Sequence, residues 1–182
     1  MSNNIEFFFD LSSPWTCIAF NNIQPLAKKL DTTIIWRPFL VGGVHNNVNE
    51  AYVESRANSM ASPKWQQLGQ SLFDWAALYN IPMNFPSAHH PLRSVHAMRF
   101  CCALEDNQVA LLRFTKAAFD AYYTDQANLD NADVLVKIAN AVGLDGEQLR
   151  VMSQQQSTKD HLRGNTDEAI ARGAFGSPSI YV

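Results

Sequence analysis

The chain has 182 residues, a length that suits one domain or one domain carrying an insertion. Apolar residues make up 47%, enough for a sizeable core, and a net charge of −3 with a pI near 5.9 offers no overall basic field to nucleic acid. No apolar run approaches the ~20 residues of a membrane span, and Met1-Ser2-Asn3-Asn4 lacks the positive start of a secretory signal, so no membrane partner and cytoplasmic residence are expected.

In chain order, Ile5 to Phe9 is short, apolar and aromatic, which predicts a buried strand. Pro14 to Leu30 predicts a helix, with Pro25 kinking it or sitting at its last turn. Thr32 to Arg37 is β-branched and aromatic and predicts a second strand, closed by Pro38. Strand, helix, strand at this spacing implies a parallel βαβ pair. The Gly/Asn-rich stretch Val41 to Asn49 predicts a loop. From about Pro63 to His161 the periodicity is helical: Leu68, Leu72, Trp75, Ala76 and Tyr79 share one face. Val95, Met98 and Cys102 share another, as do Leu112, Thr115, Phe119 and Tyr122, and then Val134, Leu135, Ile138 and Val142, stopped by Gly143. Ile81 to Pro86 interrupts the helices as an extended linker. Asp145 predicts the cap of a helix running toward His161. Asn165 and Glu168 have capping-box spacing for a last helix that Gly173 ends. A Gly-Ser turn then leads to Pro178 and a short strand, where a cis Ser177-Pro178 bond would fit.

The three cysteines are Cys17, Cys101 and Cys102. An odd number without a signal peptide argues against a disulfide framework, and two adjacent cysteines suit neither a helical zinc site nor an ordinary disulfide. Cys17 is expected in the core.

The chemistry-bearing stretch is Ser12-Ser13-Pro14-Trp15-Thr16-Cys17, at the first strand-to-helix turn. Pro14 sits just inside the helix, so Ser13 falls at the N-cap, where unpaired N–H groups and the helix dipole favour negative charge. Ser13 is read locally either as a plain helix cap or as the holder of an anion such as a thiolate.

Six segments carry a resemblance to a known family. Phe9-Asp10-Leu11-Ser12-Ser13-Pro14-Trp15-Thr16 resembles an FYDxxSPYS turn, and Trp36-Arg37-Pro38-Phe39-Leu40-Val41-Gly42-Gly43 resembles WRPFLLGG. Pro63-Lys64, Asn80 to Pro86 (GIPxxFP), His96 to Phe100 (xAxRx) and Gly173 to Pro178 (GVFGVP) follow in the same order. The chain thus resembles the DsbA-type thioredoxin-like proteins, and among them the 2-hydroxychromene-2-carboxylate isomerases and kappa-class glutathione transferases. The resemblance implies an α/β thioredoxin-like fold with an inserted all-helical domain. Residues 1–45 would form the first part of the thioredoxin-like domain, 46–164 the insertion and 165–182 the second part, with the cis-proline strand. Relatives continue with another strand and a helix bearing an F-G-x-D-R-like motif, which leads to the expectation that those elements are missing from this sequence.

Dithiol exchange needs two sulfurs, and the redox positions here hold Ser13 and Thr16. The resemblance instead implies glutathione as the source of the sulfur, with Ser13 donating a hydrogen bond to it. Ser177, before Pro178, would pair through its main chain with the cysteinyl part of glutathione. Lys64 would reach a glutathione carboxylate, or is an exposed helix-start lysine. Asn49 matches a family asparagine that binds glutathione, with Asn46 and Asn47 competing for that place. Trp15, His45 and Asn46 would face a small aromatic substrate. His45, if protonated, stands in for a loop lysine of many relatives, or is a solvated histidine. The implied function is glutathione-dependent cis-trans isomerisation of 2-hydroxychromene-2-carboxylate or a related aromatic-degradation intermediate, by a homodimer. The alternatives are a kappa-like transferase or peroxidase, and a binding protein of the same fold without redox activity.

Overall fold

The computed structural model describes residues 4–48 and 62–182. Strand β1 (Asn4–Phe9) leads through the Ser13 turn into α1 (Pro14–Lys29), then β2 (Thr33–Pro38) and α2 (Val41–Val48). Helices α3 (Pro63–Leu78), α4 (Val95–Ala103), α5 (Gln108–Tyr123), α6 (Ala132–Ala141), α7 (Gly146–Gln154) and α8 (Gln156–Ala171) follow, and the chain returns as β3 (Ser179–Tyr181). The sheet order is β2-β1-β3. β1 and β2 are parallel, with Asn4 opposite Thr33 and Phe9 opposite Pro38; β3 is antiparallel to β1, with Phe8 opposite Ser179. The expected α/β thioredoxin-like fold with a helical insertion is the observed one.

β1 is paired on both edges, and packed clusters cover both of its faces, which is why it reads as an unbroken aromatic run rather than an alternation. Phe7 and Phe9 face Trp36 and join the main core with Phe20, Phe100, Phe114 and Phe119. Phe8 faces the other way, into a smaller cluster with Phe39, Val44, Ala169 and Ala174. Phe20 of α1 packs against Phe119 of α5 as a tilted ring pair with centroids 5.3 Å apart, which joins the insertion to the thioredoxin-like part. The outer edge of β2 is closed by a side chain. Gln108 accepts from Trp36 N–H at 2.8 Å and donates to the Trp36 carbonyl at 3.2 Å.

Three local expectations are corrected. Val41 to Val48 is a helix, not a loop. Val44 is fully buried against the Phe8 cluster, and the gain from docking that face outweighs the low helix propensity of Gly42-Gly43. The glycine has a positive reason as well, because a Cβ at Gly43 would lie 3.0 Å from the Thr166 methyl of α8. Asp145 does cap a helix, accepting from Gln148 N–H at 2.9 Å, but that helix stops at Gln154. Gln155 is extended (φ −62°, ψ 145°) and α8 starts after it. Asn165 therefore starts no helix. It lies mid-α8 and buried, donating to the Pro38 carbonyl at 2.9 Å and to Glu105 at 2.7 Å, and the division at 164/165 falls inside α8. Gly143 (φ +76°) and Gly173 (φ +86°) do end α6 and α8 in the left-handed conformation. Pro25 lies within α1, one turn from its end at Lys29. The Ser177-Pro178 bond is cis, as are Phe85-Pro86 and His90-Pro91.

Candidate active site

Ser13 is the N-cap of α1, at φ −96° and ψ 118°, with Pro14 at the first helical position. Its Oγ accepts from Thr16 N–H at 3.2 Å and donates to the Ser177 carbonyl at 2.8 Å. Ser177 answers with its own side chain: Oγ accepts from Asp10 N–H at 2.9 Å and lies 2.7 Å from Thr16 Oγ1. Ser13 and Thr16 thus both bond the residue that precedes the cis-proline. Thr16 is buried, whereas Ser13, Ser177 and Pro178 are half-buried and reachable. No acidic side chain occupies the first turn of α1 itself.

Beneath the turn lies Asp10, with no exposed surface. Its carboxylate accepts from Ser12 N–H at 2.9 Å, Val41 N–H at 3.0 Å and Ser94 Oγ–H at 3.0 Å. One side chain therefore ties the turn to the starts of α2 and α4. Burial pushes the Asp10 carboxyl above the ordinary carboxylate range, and these donors oppose the shift without cancelling it. Sequence reading passed over Asp10, Ser94 and the hydroxyl of Thr16. The signal available was Asp10 beside a cap serine at the end of an apolar strand, where a charge needs partners to be buried.

None of the cysteines belongs to this site. Cys17 is buried, and burial raises its thiol to about 12, so it stays protonated at neutral pH. Cys101 and Cys102 are buried free thiols raised further for the same reason. Trp15 is 36% exposed next to Pro14, and Phe175, two residues before Ser177, is 77% exposed. His45 and Asn46 lie on α2, whose first N–H shares the Asp10 carboxylate with the turn. Lys64 is exposed on the first turn of α3. That helix meets α1 through Leu72 and Ala76 against Ile18, and eight residues along a helix is about 12 Å. No hydrogen bond or ion pair joins Lys64 to the turn among the described residues. Asn49 lies outside the described residues. Two open grooves, of about 810 and 450 Å³, are lined by neither Ser13 nor Ser177.

The model of the DSBA-like thioredoxin domain matches residues 4–182. The chain belongs to this family. This DsbA-like chain is 25% identical to a 2-hydroxychromene-2-carboxylate isomerase of Sphingobium xenophagum, an alignment covering all of the chain and 90% of that protein. It is 24% identical to glutathione S-transferase kappa 2 of Caenorhabditis elegans, over 98% of the chain and 80% of that protein. Among solved structures, a 2-hydroxychromene-2-carboxylate isomerase superposes with a TM-score of 0.79 at 21% identity, over 99% of this chain and 85% of the other. The cytosolic disulfide reductase DsbM of Pseudomonas aeruginosa, solved with GSH, superposes with a TM-score of 0.68 at 14% identity, over 99% and 86%. No described helix is long and apolar enough to cross a membrane.

Proposed function

We propose that the chain is a glutathione-dependent cis-trans isomerase of 2-hydroxychromene-2-carboxylate or a closely related ring-cleavage product. Ser13 would hold the glutathione thiolate. The observation that carries the reading is the 2.8 Å bond from Ser13 Oγ to the Ser177 carbonyl, at a turn with no cysteine in either redox position. Glutathione would exchange that bond for two better-matched ones. Ser13 O–H would turn to the sulfur, and the freed Ser177 carbonyl would accept from the cysteinyl N–H of glutathione. The Thr16 N–H to Ser13 bond and the Thr16–Ser177 hydroxyl pair can persist through the exchange, so the hydroxyl that moves stays oriented.

In the reaction, the thiolate adds to the conjugated double bond, forming a C–S bond as the π electrons move onto the carbonyl oxygen. The former double bond rotates as a single bond. The electrons then return, the C–S bond breaks and glutathione leaves unchanged. The positive end of α1 and the Ser13 hydroxyl stabilise the thiolate and keep it in place. Trp15 and Phe175 offer apolar surface to the ring, and His45 and Asn46 on α2 are the proposed polar contacts of the substrate. Lys64, Asn49 and the Ser177-Pro178 main chain are the proposed glutathione contacts.

The test is the glutathione-dependent absorbance change of the chromene substrate. Wild type should turn over at millimolar glutathione, and Ser13→Ala should lose about a hundredfold in kcat, the usual cost of one preorganised donor. A wild type inert under these conditions overturns the isomerase reading. A fully active Ser13→Ala overturns the role of Ser13. Lys64→Ala should instead raise the KM for glutathione roughly tenfold with little change in kcat, as expected for a contact made equally in ground and transition states.

A second reading keeps the site and changes the reaction. The alignment to the kappa transferase, over 98% of the chain and 80% of that protein at 24% identity, is nearly as extensive as that to the isomerase. Conjugation of glutathione to an electrophilic aromatic halide, without chromene isomerisation, would select that reading.

A further inference from the structure

Away from the turn, a second cluster of reactive side chains lies where the end of α4 meets α8. Cys102 Sγ is 3.9 Å from Glu105 Oε2, and His161 Nε2 is 3.3 Å from the same oxygen. One ligand atom from each residue lies within 4.8 Å of the other two. We propose that Cys102, Glu105 and His161 form a three-ligand site for Zn²⁺, independent of the proposed isomerase chemistry, with a fourth position left for water.

Two of the three ligand-to-ligand distances are close to those the ion needs. Zinc takes sulfur at about 2.3 Å and nitrogen or carboxylate oxygen at about 2.0–2.2 Å, so the edges of a tetrahedron of such ligands run about 3.3–3.8 Å. The His161–Glu105 edge is already of that length, and the Cys102–Glu105 edge needs to shorten by a few tenths of an ångström. The third edge, Cys102 to His161, lies within 4.8 Å and closes to tetrahedral length by a shift of up to about 1 Å of the exposed His161 ring. A thiolate, an imidazole and one carboxylate select a borderline-soft dication over Mg²⁺ or Ca²⁺.

The surroundings are built to orient the carboxylate. Asn165 Nδ2 donates to Glu105 Oε2 at 2.7 Å, leaving that oxygen a lone pair for the metal. The other oxygen lies 3.1 Å from Arg37 Nε as an ion pair, which favours coordination of the metal through Oε2 alone. The charges favour a cation. Glu6, Glu105 and Glu168 share Arg37 and Arg172, Glu105 also meets His161, and Asp106 adds negative charge nearby. A dication would offset the added charge when Cys102 loses its proton. Cys102 and Glu105 are nearly buried and His161 is 44% exposed, so the ion would enter from the His161 side. On binding, Cys102 releases its proton, and His161 offers its Nε2 lone pair in place of a hydrogen bond to Glu105.

Such an ion would pin α8 to α4.

The test is titration of the untagged, chelator-treated full chain with Co²⁺ as a spectroscopic probe, followed by Zn²⁺. One equivalent of Co²⁺ should give visible tetrahedral bands and a near-ultraviolet sulfur-to-cobalt band, and Zn²⁺ should bleach both. Cys102→Ser should remove the sulfur band, and Cys17→Ala should keep it. His161→Ala, at a side chain 44% exposed, should weaken Co²⁺ and Zn²⁺ binding by more than about tenfold. Zn²⁺ should raise the melting temperature of wild type but not of His161→Ala. Absence of the sulfur band in wild type, or unweakened binding by His161→Ala, overturns the proposal.

Discussion

Ser177 illustrates how much one residue carries. Its carbonyl holds Ser13, its hydroxyl holds Asp10 N–H, and the same hydroxyl pairs with Thr16. Thr16→Val keeps the shape and removes only that last pair. It should cost about 1 kcal/mol in a denaturant melt, and it should raise the KM for glutathione by loosening Ser177. Asp10→Ala is a harsher change, because Ser12 N–H, Val41 N–H and Ser94 O–H all lose their acceptor inside the protein. Roughly 3 kcal/mol should be lost, read from the same melts. The Ser13 position, the buried Cys17 and the Ser177-Pro178 turn were legible in the sequence, because each follows from local chain chemistry: a cap before Pro14, an apolar helix face, and a Gly-Ser-Pro turn. The Asp10 hub was not. Its partners come from residues 12, 41 and 94, and no local pattern announces that the fold will bring them to one carboxylate.

At the scale of elements, the errors share a cause. The segment Val41 to Val48 has the composition of a loop, yet Val44 and the docking face it shares with α8 make it α2. The Asn165–Glu168 spacing imitates a helix start, yet Asn165 serves the middle of α8 by bonding Pro38, Arg37 and Glu105. Tertiary contacts overrode local preference in both, and single-sequence periodicity does not see such contacts. The two glycines of α2 turn this into a measurement. Nothing lies within 4 Å of a Cβ at Gly42, so Gly42→Ala should stabilise by roughly 0.5–1 kcal/mol through helix propensity. Gly43→Ala should show no such gain, because its Cβ must push the Thr166 methyl aside. Equal gains in denaturant midpoint for both would refute the close α2–α8 approach.

For the molecule as a whole, two carboxyls set opposite dependences on pH. Burial raises Asp10, so the folded protein binds its proton more tightly than the unfolded chain does. Its contribution to stability is fully present below its unfolded value near 3.8 and is lost as pH rises through the higher folded value. Glu168 goes the other way. Partial burial pushes it up, but hydrogen bonds from Arg37 and Arg172 and their charges outweigh that and hold it below the ordinary range. Its contribution is present above about 4.5 and fades as pH falls through the lower folded value. Glu168→Gln should therefore flatten the acid limb of a stability–pH curve, and Ser94→Ala, by removing a donor to Asp10, should push the Asp10 limb to higher pH.

The bonds from Ser177 to Asp10, Ser13 and Thr16 span 167, 164 and 161 residues of chain. During synthesis on the ribosome, the first helix and its cap serine emerge long before their partner is made. The nascent chain can hide its aromatic residues early, but it cannot assemble the turn until the segment around residue 177 has left the exit tunnel. A messenger cut short upstream of that codon would thus yield a product able to collapse and yet unable to present the Ser13 hydroxyl in place. Competence at this site thus reports that the chain has been made at least as far as residue 177.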